Sequence, residues 1–84
     1  MPNEKIDIPL ATAEGLIDNI VRFSNLLRDN GIAVSLPAVL DTLKGLPLID
    51  ISILPEFKIL LQANLICRRQ DIVKFNKLFH DYWL

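Results

Sequence analysis

The sequence predicts an all-α protein, a small irregular bundle of four helices spanning about residues 12–30, 36–46, 53–67 and 72–83. Apolar residues recur every three or four positions in each segment, which is the period of a helix with a buried face. Residues that commonly begin or end helices stand at the segment boundaries. Residues 49–53 alternate apolar and polar side chains as a strand would, but no second alternating run could pair with them.

The first predicted helix begins at Thr12, a good N-capping residue, and ends before Gly31, which can adopt a left-handed conformation. Asp18 lies four residues before Arg22, a spacing that allows an ion pair on the helix surface. The apolar positions gather on one side: Ala13, Leu16, Ile17, Ile20, Phe23 and Leu27. We therefore expect this helix to bury one face.

The second predicted helix is short and has well-marked ends. The Ser35 hydroxyl can cap its start, and Pro37 falls in the first turn, where a missing N–H is tolerated. Gly45 followed by Pro47 should end it. Its apolar face is expected to comprise Leu36, Val39, Leu40, Leu43 and Leu46.

The third predicted helix is apolar on two sides. Asp50 or Ser52 is expected to cap its start, just before Pro55. The main face comprises Leu54, Phe57, Leu60, Leu61 and Leu65, whereas Ile59, Ala63 and Ile66 lie nearly opposite. This pattern fits two arrangements: a central helix buried all round, or an exposed apolar strip that marks an interface.

The fourth predicted helix follows Asp71, its expected cap, and carries most of the aromatic residues. Its apolar positions are Ile72, Phe75, Leu78, Phe79, Tyr82 and Trp83. Tyr82 and Trp83 fall within the arc set by Phe75 and Phe79, so we expect them in the core rather than as an exposed anchor for a partner.

Composition narrows the function further. A hydrophobic fraction of 51% is enough for a core, and a formal charge of -1 gives no reason to expect a polyanionic partner. Cys67, the single cysteine, excludes an internal disulfide, and no secretory signal is evident, so we expect a cytoplasmic protein. No apolar run approaches the ~20 residues that span a bilayer. Residues 1–11 are interpreted as an N-terminal arm and 12–84 as one helical domain.

No grouping of residues predicts an enzyme, a metal site or a cofactor site. Cys67 and His80 lie on different predicted helices, and we expect Cys67 as a small core residue and His80 as a cation near a helix end. One cysteine and one histidine do not make a structural zinc site. The alternative to protein docking is a small helical DNA-binding regulator, which would use the basic residues Arg68, Arg69, Lys74 and Lys77. The fourth helix offers few polar side chains for reading base edges, so we do not expect nucleic acid as the partner.

One ordered set of residues supports a more specific interpretation: Phe23, Leu27, Arg28, Gly31, Val34, Ser35, Asp41, Leu43, Arg68, Arg69, Asp71, Phe75 and Phe79. It resembles the N-terminal helical region of CoxE-like proteins, which contain a von Willebrand factor A domain. The resemblance runs from about Ile17 to Tyr82, and Asn76 stands where family members often have aspartate. The von Willebrand factor A domain is missing here, so the chain is expected to be either a fragment of a longer protein or a protein of the helical part alone.

The resemblance implies an adaptor that acts with a MoxR-type AAA+ ATPase in maturing a client enzyme or inserting its metal cofactor. Its protein partner would be the ATPase, the client or the missing von Willebrand factor A domain. Helical-wheel positions indicate the candidate interaction residues: Arg28, Arg68 and Arg69 for polar contacts, and Ile59, Ala63 and Ile66 for apolar ones.

Overall fold

The computed structural model of the protein describes residues 13–84, which contain helices and no strand. The elements in chain order are α1 (Ala13–Asp29), α2 (Leu36–Gly45), a 3₁₀ turn (Leu46–Leu48), α3 (Leu54–Leu65), a second 3₁₀ turn (Arg69–Asp71) and α4 (Ile72–Trp83). The predicted all-α bundle of four helices is confirmed. The predicted N-terminal arm and the Thr12 cap lie outside the described residues, as do the side chains of Ala13 and Glu14.

Helices α1 and α4 form an antiparallel pair joined at both ends. Near the start of α4, the Lys74 ammonium donates to the carbonyl of Asn30 over 2.7 Å. Near its end, the Tyr82 hydroxyl donates to the Asn19 side-chain oxygen, also over 2.7 Å. These two bonds hold the ends of the pair in register.

The core is built around Phe23 of α1, which is fully buried. Its ring lies 5.4 to 6.1 Å, between centroids, from four rings of α4: those of Phe75, Phe79, Tyr82 and Trp83. From α3, Phe57 adds an edge contact to Trp83 at 4.8 Å. Such geometries place the positive ring edge against a negative ring face. The aromatic cluster therefore ties three helices together.

Trp83 occupies the core as predicted, with 1% of its surface exposed. Tyr82 is half-buried, because its hydroxyl reaches Asn19 at the edge of the bundle. The indole N–H of Trp83 is buried and has no hydrogen-bond partner among the described residues.

The predicted end of α1 and start of α2 are confirmed. Gly31 adopts φ +87°, a conformation that side-chain-bearing residues rarely take, and the chain turns there. The Ser35 hydroxyl then accepts from the Ala38 N–H over 3.2 Å, and Pro37 lies in the first turn of α2. Asp18 and Arg22 make the expected exposed ion pair at 2.7 Å.

Helix α2 packs on α3 with part of the predicted apolar face, since Val39 is buried and Leu43 and Leu46 pack against the core. The helices approach so closely at Gly45 that an added Cβ would stand 2.5 Å from a terminal methyl carbon of Leu60. Val39 and Thr42 are buried, and the Thr42 hydroxyl is satisfied by the Ala38 carbonyl at 2.9 Å. Leu36 and Leu40, expected in the core, are exposed, because this packing turns them towards solvent.

Three further expectations need correction. Helix α3 begins after Ile53 with no side-chain cap, because Asp50 accepts from the backbone N–H and hydroxyl of Ser52 instead. Asp71 occupies the capping position of α4 without a side-chain hydrogen bond, since a 3₁₀ turn leads into that helix. Ile17, expected on the buried face of α1, is 41% exposed.

Candidate protein-docking surfaces

Apolar side chains are exposed in pairs one helical turn apart on both α2 and α3. On α2, Leu36 is 66% exposed and Leu40 is 47% exposed. On α3, Ile59 is 66% exposed and Ala63 is also exposed. We call the first pair the α2 strip and the second the α3 strip. Of the two arrangements that fit the pattern of the third helix, the structure thus has the exposed strip.

Ile66 does not extend the α3 strip. Helix α3 ends at Leu65, and Ile66 has an extended backbone with φ -108° and ψ 115°. Its side chain is half-buried against the core. The candidate apolar contact residues therefore separate into two that are exposed on the helix and one that lies beyond its end.

Arg28 lies in an open groove of about 600 Å³ lined by Arg28, residues 31–35 and Cys67. We call this the Cys67 groove. The Arg28 guanidinium donates from Nε to the Val34 carbonyl and from Nη1 to the Asn25 side-chain oxygen, each over 2.7 Å. Its position is fixed by the loop that forms one wall.

Arg68 and Arg69 directly follow Cys67 and are exposed. Their carbonyls accept backbone hydrogen bonds from Asp71 and Ile72, but neither side chain makes a hydrogen bond or ion pair within the described part of the chain. Lys77, by contrast, pairs with Asp81 at 2.9 Å. Among the basic residues weighed for nucleic-acid binding, the two arginines thus have the most freedom to contact another molecule.

Cys67 and His80 are not brought together. Cys67 is exposed rather than in the core, because α3 ends two residues before it. His80 lines a different cavity of about 410 Å³, between the start of α3 and the end of α4, with Lys58, Phe79 and Leu54 among its neighbours. Residues 13–84 hold no cluster of three or more histidine, cysteine or acidic residues suited to a metal ion.

Two pKa shifts lie outside these surfaces. Hydrogen bonds from the Ser52 side chain and backbone lower the pKa of Asp50. Partial burial raises the pKa of Tyr82, against a smaller lowering effect of Arg22. Asp50 belongs to the loop before α3 and Tyr82 to the contact between α4 and α1, and neither lines the Cys67 groove.

The α2 strip and Lys74 were missed by reasoning from sequence. Leu36 and Leu40 fit the apolar period of α2 as well as its buried residues do, so the pattern held no signal of their exposure. In the sequence, Lys74 stands out only as one of the basic residues weighed for nucleic-acid binding. Its contact with Asn30 depends on the pairing of α4 with α1.

None of the helices between residues 13 and 84 has the length and apolar content needed to cross a membrane.

The fold and its exposed strips define a small all-α helical-bundle domain. A family model described as the CoxE N-terminal helical bundle domain matches residues 20–84. The chain belongs to this family, as the residue set from Phe23 to Phe79 predicted. Comparison with curated proteins and with solved structures gives no match.

Proposed function

We propose that this domain is a non-catalytic adaptor of a CoxE-like protein. It docks a MoxR-type AAA+ ATPase during the maturation of a client enzyme or the insertion of its metal cofactor. The family match supports the choice of partner, since CoxE-like proteins are expected to act with such ATPases.

The observation that carries the docking role is the exposure of the α2 and α3 strips. Leu36 and Ile59 each expose 66% of their surface although the same helices bury Val39, Phe57 and Leu61. Because a third of each side chain is already buried, covering the rest in an interface contributes about 1–2 kcal/mol. The two strips are therefore the surfaces on which we expect the partner to dock.

A pull-down with a MoxR-type ATPase encoded beside a full-length CoxE-like protein tests the proposal. Deleting residues 20–84 should abolish capture. Capture by the remainder of the protein at full strength would reject an ATPase-docking role for this domain.

Single substitutions locate the surface. Leu36→Ser and Ile59→Ser should each weaken binding by about tenfold, the equivalent of losing one buried aliphatic contact. Val73→Ser is the matched control, because Val73 is an apolar residue of α4 that is 79% exposed and outside both strips. Equal losses for all three variants would mean that the strips have no special role.

A further inference from the structure

We propose that the Cys67 groove binds an extended, acidic segment of a protein partner. The inference rests on the proposed function in one respect only, that the ligand is a protein. It requires neither an ATPase nor the α2 and α3 strips.

The groove walls are two stretches of chain outside the helices. One is the loop of residues 31–35, which ends with Ser35 at φ -84° and ψ 159°. The other contains Cys67, flanked by the extended residues Ile66 and Arg68. Extended backbone presents its N–H and C=O groups sideways, where a strand-like peptide can pair with them.

Backbone groups for such pairing are free on both walls. Ala33 and Cys67 are exposed and make no backbone hydrogen bond within the described residues. The lining between them is mostly apolar, with Ile32 and Val34 of the loop itself among its residues. An extended peptide would therefore find main-chain partners on either side and apolar surface below, the combination by which strand addition binds peptides.

The charge of the groove selects an acidic ligand. Arg28 lines it, and no carboxylate does. The Lys74 ammonium stands at the rim, 3.8 Å from where a Cβ on Gly31 would lie, and is held there by the Asn30 carbonyl. Because both cations are already positioned by hydrogen bonds, binding a carboxylate would require little further ordering of their side chains.

A peptide fits these features better than a nucleic acid. Single-stranded nucleic acids are usually held by aromatic side chains that stack on the bases. The lining of the Cys67 groove contains no aromatic residue, and its free polar groups are main-chain amides.

The test uses the 84-residue chain and two synthetic octapeptides, one alternating glutamate with valine and the other alternating lysine with valine. Amide chemical shifts should move on adding the glutamate peptide, and the changes should centre on residues 31–35 and 67. The peptide should also slow the reaction of the Cys67 thiol with a maleimide; because the chain has one cysteine, this signal has one source.

Lys74→Gln and Lys77→Gln form a matched pair one turn apart on α4. Lys74→Gln should weaken the glutamate peptide by about threefold, the loss expected for one exposed ion pair, and raised salt should weaken it too. Lys77→Gln should change little, since Lys77 pairs with Asp81.

Three results with the peptides would overturn the proposal: no binding of the glutamate peptide, equal binding of the lysine peptide, or shifts centred outside the groove. A single-stranded oligonucleotide that protects Cys67 more strongly than the peptide would also overturn it. Binding of the glutamate peptide in the groove without any capture of an ATPase would reject the proposed ATPase docking and support this inference, because the peptide test involves no ATPase.

Discussion

The α1–α4 pair and the α2–α3 pair use similar amounts of apolar sequence in different ways. In the first, rings interlock around Phe23 and two side-chain hydrogen bonds join the helices. In the second, the helices meet closely at Gly45, yet Leu36, Leu40 and Ile59 remain exposed. The difference lies in how the helices are joined: by rings and side-chain hydrogen bonds in the first pair, and by close backbone approach in the second. Apolar side chains are exposed in both pairs, Ile17 and Val73 among them in the first.

The largest expected effect is on stability when the ring at the centre of the first pair is removed. Phe23→Ala should lower the free energy of unfolding by about 3–5 kcal/mol, because it removes a fully buried ring and leaves a cavity. A domain of this length is held by roughly 4–12 kcal/mol in total. Urea denaturation followed by circular dichroism measures the change.

Ile59→Ala on α3 is the matched comparison and should change the free energy of unfolding by less than about 0.5 kcal/mol. A loss as large as that of Phe23→Ala would mean that Ile59 is buried rather than exposed on α3.

A smaller loss of stability is expected from substitution in the turn between α1 and α2. Gly31→Ala should destabilise the protein by about 1–2 kcal/mol, because φ is +87° there. Gly31→Asn should lose less, since asparagine tolerates this conformation better. Thermal denaturation of both variants tests the order, and an unchanged midpoint for Gly31→Ala would contradict it.

The hydrogen bond between Tyr82 and Asn19 should contribute about 0.5–1.5 kcal/mol to the α1–α4 pair. Tyr82→Phe should lower the free energy of unfolding by that amount. Adding Asn19→Ala to the Tyr82→Phe variant should lower it little further. Additive losses in a double-mutant cycle would show that the two side chains are not coupled.

Tyr82 also predicts a dependence on alkaline pH. Its pKa is raised above the ordinary value of 10.0 by partial burial, so the folded protein disfavours the phenolate. The stability from the neutral hydroxyl is therefore present below pH 10 and is lost as the pH rises through the folded-state pKa. The chain has one tyrosine, so ultraviolet titration reads this group directly. A midpoint at or below 10.0 would refute the shift.

The smallest effect concerns the loop before α3, in the second pair. The pKa of Asp50 should lie below the ordinary value of 3.8, and Ser52→Ala should raise it towards that value. The stability from this carboxylate is present above the unfolded-state pKa and lost as the pH falls through the folded-state pKa. Carboxyl chemical shifts measured against pH test it, with Asp41 of α2 observed alongside in the same spectra.

The comparison of the two pairs also explains which features could be predicted from sequence. Local chemistry was sufficient for the turn at Gly31 and the cap at Ser35, because each depends on one residue and its near neighbours. Phe23 and Trp83 were predicted correctly to lie in the core because α1 and α4 each have a single, clearly defined apolar face. The apolar repeat of α2 did not show which of its apolar residues are buried. Leu36 and Val39 both fit the repeat, and they differ only in what packs on them.

The candidate sites divide in the same way. Arg28 could be placed on the surface from helical period, whereas the exposure of Ile59 could not, since the two-sided pattern of α3 also fitted a fully buried helix. The Cys67 groove could not be predicted, because its walls come from chain segments 32 residues or more apart and from the end of α3 at Leu65. The cap at residue 53 was missed for a local reason: Asp50 and Ser52 bond to each other, and this leaves neither for the helix.

The placement of Trp83 and Cys67 allows two fluorescence signals to be measured on this protein, one from the natural indole and one from a dye attached to the single thiol. The chain has one tryptophan, buried in the aromatic cluster, and one cysteine, accessible at the groove. Fluorescence of the indole would report unfolding of the core, whereas a dye on the thiol would report binding of a ligand in the Cys67 groove. A single sample could then distinguish ligand capture from unfolding without any introduced label site.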